Sequence, residues 1–466
     1  MKPVRIGLVA LAAALALAGC ATPGPAGEAR ALLKPAALGA DAAGAPWPEA
    51  RWWSAWGDAQ LDALVEQALA GSPGLRSAEE RLRLARTAVD ASRAVERPQA
   101  RVSVELSDQR FTENGLIPPP LAGSVEWNNS AQIGLSWELD LFGRRRAELD
   151  AAIGQVRAAQ ADAQAARVLL ASQVAATYVD LARLAEAKRI AVESQTQREQ
   201  VLALVRQRIA AGLDTRVELR QAEGLVAQSR VEIEALAEAA ARTRHALAEL
   251  AGQGPNAYDE LSPALAPMRS APLPAALPAD LIGRRADLVA QRWRVDAATA
   301  QVDAAKAQFY PDIDLVAFVG LSSLGLDRFV EAGSRTYGVG PALHLPLFDG
   351  GRLRAQLDAR RIDVDAAVDA YNAALLRALR EVADEVTSLQ AIERQQRSQA
   401  EAGAAAEAAY ELALQRYQAG LGNFLVVLTA QTNVLAQRRA AADLKARHLA
   451  AEIGLARALG GGYQDA

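Results

Sequence analysis

Two hydrophobic periods alternate along the chain, and each predicts a different element. Apolar residues between Asp58 and Ala94 recur at helical spacing, with Leu61, Leu64, Val65, Ala68 and Leu69 on one stripe. Pro73 interrupts this helix near its start, and Pro98 ends it. The period then falls to two. Val102, Val104 and Leu106 alternate with Ser103, Glu105 and Ser107. After a loop holding Pro118, Pro119 and Pro120, the alternation resumes from Gln132 to Leu141. Ile133, Leu135, Trp137, Leu139 and Leu141 take one face there, and Gln132, Gly134, Ser136, Glu138 and Asp140 the other. This predicts a strand with one apolar and one polar side, which fits either a strand facing lipid or a soluble hairpin packed on a core. Helical periodicity returns at Gly143 and runs without proline to Ala211, a length of about 100 Å from the rise per residue. Ile153, Val156, Ala163, Leu170, Leu181 and Leu184 recur along it near a seven-residue spacing, a coiled-coil habit. Val217 to Leu250 predicts a shorter helix of about 50 Å.

The same order then repeats. Val302-Asp303-Ala304 and Pro311 echo Val89-Asp90-Ala91 and Pro98, while Gly351-Arg352-Leu353-Arg354-Ala355 echoes Gly143-Arg144-Arg145-Arg146-Ala147. The second offset is the smaller, which assigns the extra residues to the first hairpin loop. Ile313, Leu315, Ala317 and Val319 begin a strand whose other face, with Val316 and Phe318, is mixed. Tyr337, Val339, Leu343, Leu345 and Leu347 predict its partner; Pro341 and Pro346 there require dispensable ladder donors. A duplicated unit of helix, strand, strand, long helix and shorter helix follows. Its predicted bounds are a first repeat over 51–251, with a β-hairpin near 101–142 and a helical hairpin over 143–251. A Pro- and Gly-rich linker covers 252–279. The second repeat covers 280–460, with hairpins near 312–348 and 351–459.

The repeat is clearest at two helical turns. RIAAGLDTRVELRQAE, Arg208 to Glu223, is echoed by RYQAGLGNFLVVLTAQ, Arg416 to Gln431. Gly212 and Gly420 are placed to end a helix in the left-handed region, with Leu213 and Leu421 beside them. Thr215 and Asn423 are placed to cap the next helix, with Gly422 between.

Composition sharpens this picture. The 466 residues are 51% hydrophobic yet only 5% aromatic, because alanine supplies the difference; alanine favours helices that approach closely. The net charge of −4, balanced between 51 cations and 55 anions, argues against a nucleic-acid partner. His245, His344 and His448 are isolated, and no zinc-protease, nucleophile-elbow or phosphate-loop motif occurs, so the sequence offers no catalytic or metal centre. Trp52, Trp53 and Trp56 read as a segment pinned to a core.

The N-terminus is an address. Lys2 and Arg5 precede a short apolar run, Gly7 to Leu17, too short to span a bilayer. Leu17-Ala18-Gly19-Cys20 follows and resembles the bacterial lipobox. Residues 1–19 are then a signal peptide, and Cys20, the single cysteine, carries an N-terminal lipid, the one covalent group expected and no other cofactor. Ala21, where no Asp favours inner-membrane retention, points to the outer membrane. Residues 20–50 read as a lipidated tether. No run of 18 apolar residues occurs after the signal.

Ten-residue strands, tilted, cross a bilayer. Four strands cannot close a barrel, and open edges are not tolerated in lipid. Two chains would give eight strands, an interior filled by side chains; three give twelve and leave room for a lumen.

The order of these motifs resembles the TolC-like outer-membrane efflux factors, in particular their NodT-type lipoprotein branch. The residues that carry it are the lipobox, Arg51-Trp52-Trp53, SWELDLFGRRR, Arg284 to Leu288, and Arg416 to Gln431. The resemblance implies an α+β membrane protein: a homotrimer whose twelve-stranded outer-membrane β-barrel continues into a long periplasmic α-helical barrel. It implies an exit duct for drugs or other small toxic compounds, serving a periplasmic adaptor and an inner-membrane pump, commonly of the resistance–nodulation–division type. Gly212, Leu213, Thr215, Gly420, Leu421, Gly422 and Asn423 become adaptor-docking tips. Arg208, Glu218, Arg416 and Tyr417 become candidates for a periplasmic gate. Two positions depart from the family: Thr429 stands where Asp is usual, and Ala286 where Pro is frequent. Other readings are the duct of a type I protein secretion system and a non-conducting lipid-anchored coiled-coil scaffold, which leaves the four amphipathic strands unexplained.

Overall fold

A computed structural model describes residues 30–34, 49–265, 267–268 and 285–462. The signal segment, Cys20 and the linker beyond 268 lie outside the described residues. A 3-10 turn, Trp52–Trp56, precedes α1 (Ala59–Gly71), α2 (Pro73–Val95), β1 (Gln99–Arg110), β2 (Val125–Leu139), α3 (Arg144–Ala210) and α4 (Arg216–Leu250). The second copy supplies α5 (Ala286–Ala307), β3 (Asp312–Leu324), β4 (Arg335–His344), α6 (Arg352–Gln418) and α7 (Phe424–Ala458). The duplicated order is as expected, and α3 and α6 have the same length, 67 residues each. The expected interruption at Pro73 is present: α1 ends at Gly71, Ser72 is extended, and Pro73 opens α2, where a first helical turn has no need of its N–H. The loop 111–124 is longer than its counterpart 325–334, where the extra residues were assigned.

Two hairpin boundaries differ from expectation. β2 ends at Leu139, so Leu141 lies beyond the strand. The carboxylate of Asp140 is the cause: it accepts from the Arg145 and Arg146 backbone N–H groups, both at 3.0 Å, and so caps α3. β4 ends at His344, leaving Leu345 and Leu347 outside. Asp349 repeats the cap, accepting from Gly351 N at 3.0 Å and Leu353 N at 2.8 Å. Those backbone donors, Leu353 foremost, hold its carboxyl below the usual carboxylate range.

The chain divides into two compact units. The first, built from 81–159 and 290–371, holds one antiparallel sheet in the order β1-β2-β3-β4. Helices approach closely in it: a Cβ on Gly154 of α3 would stand 2.9 Å from the Ala297 Cβ of α5. Arg157 lies 4.3 Å over the Trp293 ring nearby.

The second unit, built from 33–80, 160–289 and 372–466, is helical. Its main core packs Trp53, Trp56, Leu61 and Val65 on Val174, Tyr178, Leu181, Leu247, Leu449 and Ile453. The tryptophans pin the opening segment, as expected. Trp56 Nε1 donates to Glu452 at 3.0 Å, and Tyr178 OH donates at 2.8 Å to Asp58, which also caps α1. Burial and this bond push the Tyr178 phenol far up. The end of α4 abuts the α1–α2 junction: a Cβ on Gly252 (φ +67°) would stand 2.5 Å from the Gly71 carbonyl oxygen. In the second copy Arg285, just before α5, donates to the last carbonyl of α7, Ala458 O, and to Glu381, each at 3.0 Å. Opening and closing helices therefore meet at their ends in both copies. The repeat extends to ion pairs: Arg230–Glu199 in the first copy recurs as Arg438–Glu407 in the second. The most apolar 18-residue stretch of α3 has a mean hydropathy of 1.2 and is 56% buried, as an alanine-rich core helix would be.

Candidate functional site: the sheet face and the paired helical turns

Strand register aligns the apolar face across all four strands. Val102 pairs with Ile133, Ile133 with Val319, and Val319 with Tyr337. The next row is Ala100, Leu135, Ala317 and Val339. Ile133, Val102, Tyr337 and Val339 are more than half exposed, so the face is covered by nothing among the described residues. The intervening rows carry the opposite face. Gln99, Ser136, Val316 and Gly340 make one, and Arg101, Gly134, Phe318 and Gly338 the next. Phe318 explains why this side is mixed: its ring occupies the space a Cβ on Gly338 would need, at 2.7 Å.

Trp127 and Trp137 lie on the apolar face of β2, ten positions apart. At ~3.4 Å per residue that is about 34 Å of strand. Tilted by ~45° it spans about 24 Å, close to the ~25 Å apolar band of a barrel flanked by aromatic girdles. Where the sheet passes into α3, Glu138 takes both Arg144 and Arg145, and Arg144 reaches Asp312 at 3.0 Å. Of the three carboxylates clustered there, Glu138 faces Arg144 and Arg145, Asp312 faces Arg144, and Asp314 lies 3.7 Å from His344 Nδ1.

The two helical turns are built alike. Gly212 and Gly420 take φ of +74° and +75°. Leu213 N donates to Arg208 O and Leu421 N to Arg416 O, both at 2.8 Å. These bonds close the helix ends in the same Schellman pattern. Thr215 then caps α4 in a reciprocal box: its hydroxyl accepts from Val217 N at 3.1 Å, and its own N–H donates to Glu218 at 2.9 Å. The hydrogen bond from Thr215 and the backbone donors hold the Glu218 carboxyl below its ordinary range. Asn423 caps α7 through Val426 N at 3.1 Å.

Beneath the turns, Val201, Val205, Ala222, Val226, Phe424 and Val427 surround Tyr417, which is fully buried. The two copies are fastened here. Arg208 Nε donates to Asp214 at 2.9 Å, and its Nη1 donates to the Tyr417 carbonyl at 2.9 Å. The same guanidinium lies 4.4 Å over the Tyr417 ring, whose hydroxyl donates to Asp214. Burial first, then that hydrogen bond, push the Tyr417 phenol well above its usual range. The hydrogen bond to Asp214 raises Arg208 in turn.

Of the four candidate gate residues, Arg208 and Tyr417 are thus brought together. Glu218 is engaged in its own helix cap, and the exposed Arg416 side chain makes no hydrogen bond or ion pair among the described residues. Asp214, which ties Arg208 to Tyr417, was missed as a site residue. The repeat held its signal: Asp214 stands where the second copy has Gly422, and Tyr417 where the first has Ile209. The two copies diverge in complementary ways at these positions. Leu213 and Leu421 project, 63% and 72% exposed.

The model of the outer membrane efflux protein family matches residues 64–253 and 277–461. The chain belongs to the outer membrane efflux protein family. It is 37% identical to the fusaric acid resistance protein FusA of Burkholderia cepacia over 77% of this chain and 70% of that one. It is 33% identical to the multidrug resistance outer membrane protein MdtP of Escherichia coli over 90% of this chain and 87% of that one. Among solved structures, the outer membrane protein VceC of Vibrio cholerae superposes with a TM-score of 0.84 at 34% identity, covering 90% of this chain and all of that one. The protein is thus an efflux exit duct of the outer membrane, with the α+β fold of those channels. The expected fold and localisation hold.

Proposed function

We propose that three copies close one twelve-stranded barrel and that the trimer is the outer-membrane stage of a tripartite pump for small toxic compounds. The observation that carries this is a four-stranded sheet with one continuous apolar face and two unpaired edges, β1 and β4. Lipid does not tolerate such edges, so each must pair with another copy. The reading extends to an N-terminal lipid on Cys20, and to a periplasmic adaptor and an inner-membrane pump of the resistance–nodulation–division type as partners.

The turns at Gly212-Leu213-Asp214-Thr215 and Gly420-Leu421-Gly422-Asn423 are the docking tips in this proposal. Their projecting leucines support it, since apolar side chains at a bare tip gain nothing from water. The Arg208–Asp214–Tyr417 cluster is the contact that holds the mouth shut at rest, with Glu218 and Arg416 outside that contact. Replacing Gly420 and Leu421 by glutamate tests the docking. Outer-membrane fractions should still yield heat-modifiable trimers while drug export is lost. Full export at normal abundance refutes docking at these tips, and monomers from the unmutated protein refute the shared barrel.

A further inference from the structure

The turns carry more positive charge than their carboxylates meet. The stretches Arg208–Glu223 and Arg416–Gln431 hold four arginines and three carboxylates, in a chain whose net charge is −4. Every one of those carboxylates is engaged. Asp214 binds Arg208 and Tyr417, and Glu218 binds Thr215. Glu223 binds Arg220 at 2.8 Å, with Arg206 at 3.7 Å. Arg216 and Arg416, both exposed, have no hydrogen-bond or ion-pair partner among the described residues. Behind Arg416 the nearest acid on α6 is Glu411, about 7.5 Å back along the helix. Ahead of it no acid occurs before Asp443. The exposed Thr429 and Thr432 return their hydroxyls to Leu425 O and Leu428 O, both at 2.9 Å, and add no charge. The Glu218 partner is the neutral Thr215, so among the described residues each chain presents two guanidinium groups, Arg216 and Arg416, against one carboxylate without a cation, Glu218, a net positive charge at its paired turns.

We propose that the periplasmic mouth of this duct prefers anions, and that organic anions such as carboxylates are the solute class it admits most readily. The inference rests on the trimeric duct: three copies bring six guanidinium groups, against three Glu218 carboxylates, to one ring. Such a net positive ring focuses its field on the aperture, where a potential of about one kT raises a monovalent anion over a cation by about sevenfold. The field acts at a distance, so each guanidinium works from wherever on the rim it stands. Its reach is a Debye length, about 8 Å at physiological salt and about 30 Å at 0.01 M.

The test is the reversal potential of the full-length protein in planar bilayers under a potassium chloride gradient of roughly 10 to 100 mM, where the screening length is about 10–30 Å. Wild type should reverse toward the chloride potential. The pair Arg216→Gln and Arg416→Gln should shift it toward potassium, lowering the chloride-to-potassium permeability ratio several-fold. The pair Arg216→Lys and Arg416→Lys should keep it, because the charge matters and no contact is lost. At ~1 M salt, with a Debye length of about 3 Å, the three proteins should converge. A potassium-preferring wild type, or a glutamine pair indistinguishable from it, overturns the inference and leaves the duct standing. Because the resting mouth is held shut, the same measurement is made on Asp214→Ala, which breaks that contact; membrane-inserted trimers without any conductance in either protein would remove the duct, and the inference with it.

Discussion

Ile133→Arg is the sharpest perturbation of the sheet. Ile133 stands one position from the midpoint between Trp127 and Trp137, on the row Val102–Ile133–Val319–Tyr337. One residue of tilted strand is about 2.4 Å of depth, so the new charge would sit close to the bilayer midplane. An arginine facing lipid there costs about 2–4 kcal/mol per copy, and three copies carry the cost together. Ser136→Arg, on the opposite face beside Gln99, Val316 and Gly340, adds the same charge where water reaches it. Semi-native electrophoresis of outer-membrane fractions, with the temperature at which trimers dissociate as the readout, separates the two. Ile133→Arg should abolish trimers or lower that temperature sharply, while Ser136→Arg stays near wild type. Equal losses, or the reverse order, would refute the assignment of this face to lipid.

Two further outcomes follow from the packing and one from the sequence. Asp214→Ala removes the acceptor shared by Arg208 and Tyr417, and should destabilise the turns by about 1–3 kcal/mol, read as faster amide exchange at both. Breaking the exposed Arg220–Glu223 pair with Glu223→Gln should change exchange by less than about 0.5 kcal/mol, and equal effects would deny the cluster a structural role. Gly252→Ala meets both a φ of +67° and the Gly71 oxygen at 2.5 Å, and should lower the melting temperature, while Gly224→Ala, in open space within α4, should raise it slightly. Cys20→Ser, with a working alternative cleavage site, should reduce membrane association without abolishing it, since the strands insert as well; mass spectrometry of the mature N-terminus finding an unmodified cysteine would refute the lipid.

The sequence by itself determined the elements and their duplication. A side-chain period of two or of 3.6 is a property of neighbouring residues, so β2 and α3 announce themselves without any partner. The turn glycines, the caps at Thr215 and Asn423, and the ends imposed by Pro98 and Pro311 are local in the same way. Even the open edges were legible, because four strands cannot satisfy their own ladder donors inside lipid. The tertiary structure decided which of several equivalent side chains meet. Glu218 and Asp214 are both acids near a helix turn, yet one bonds its own cap and the other gathers Arg208 and Tyr417 from two copies some two hundred residues apart in sequence. Leu141 continues the alternation of β2, but Asp140 beside it binds the first free N–H groups of α3 and ends the strand. Periodicity records which face a residue takes. Partners and the last residue of a strand depend on competition between hydrogen-bond acceptors in three dimensions, which only the folded chain resolves.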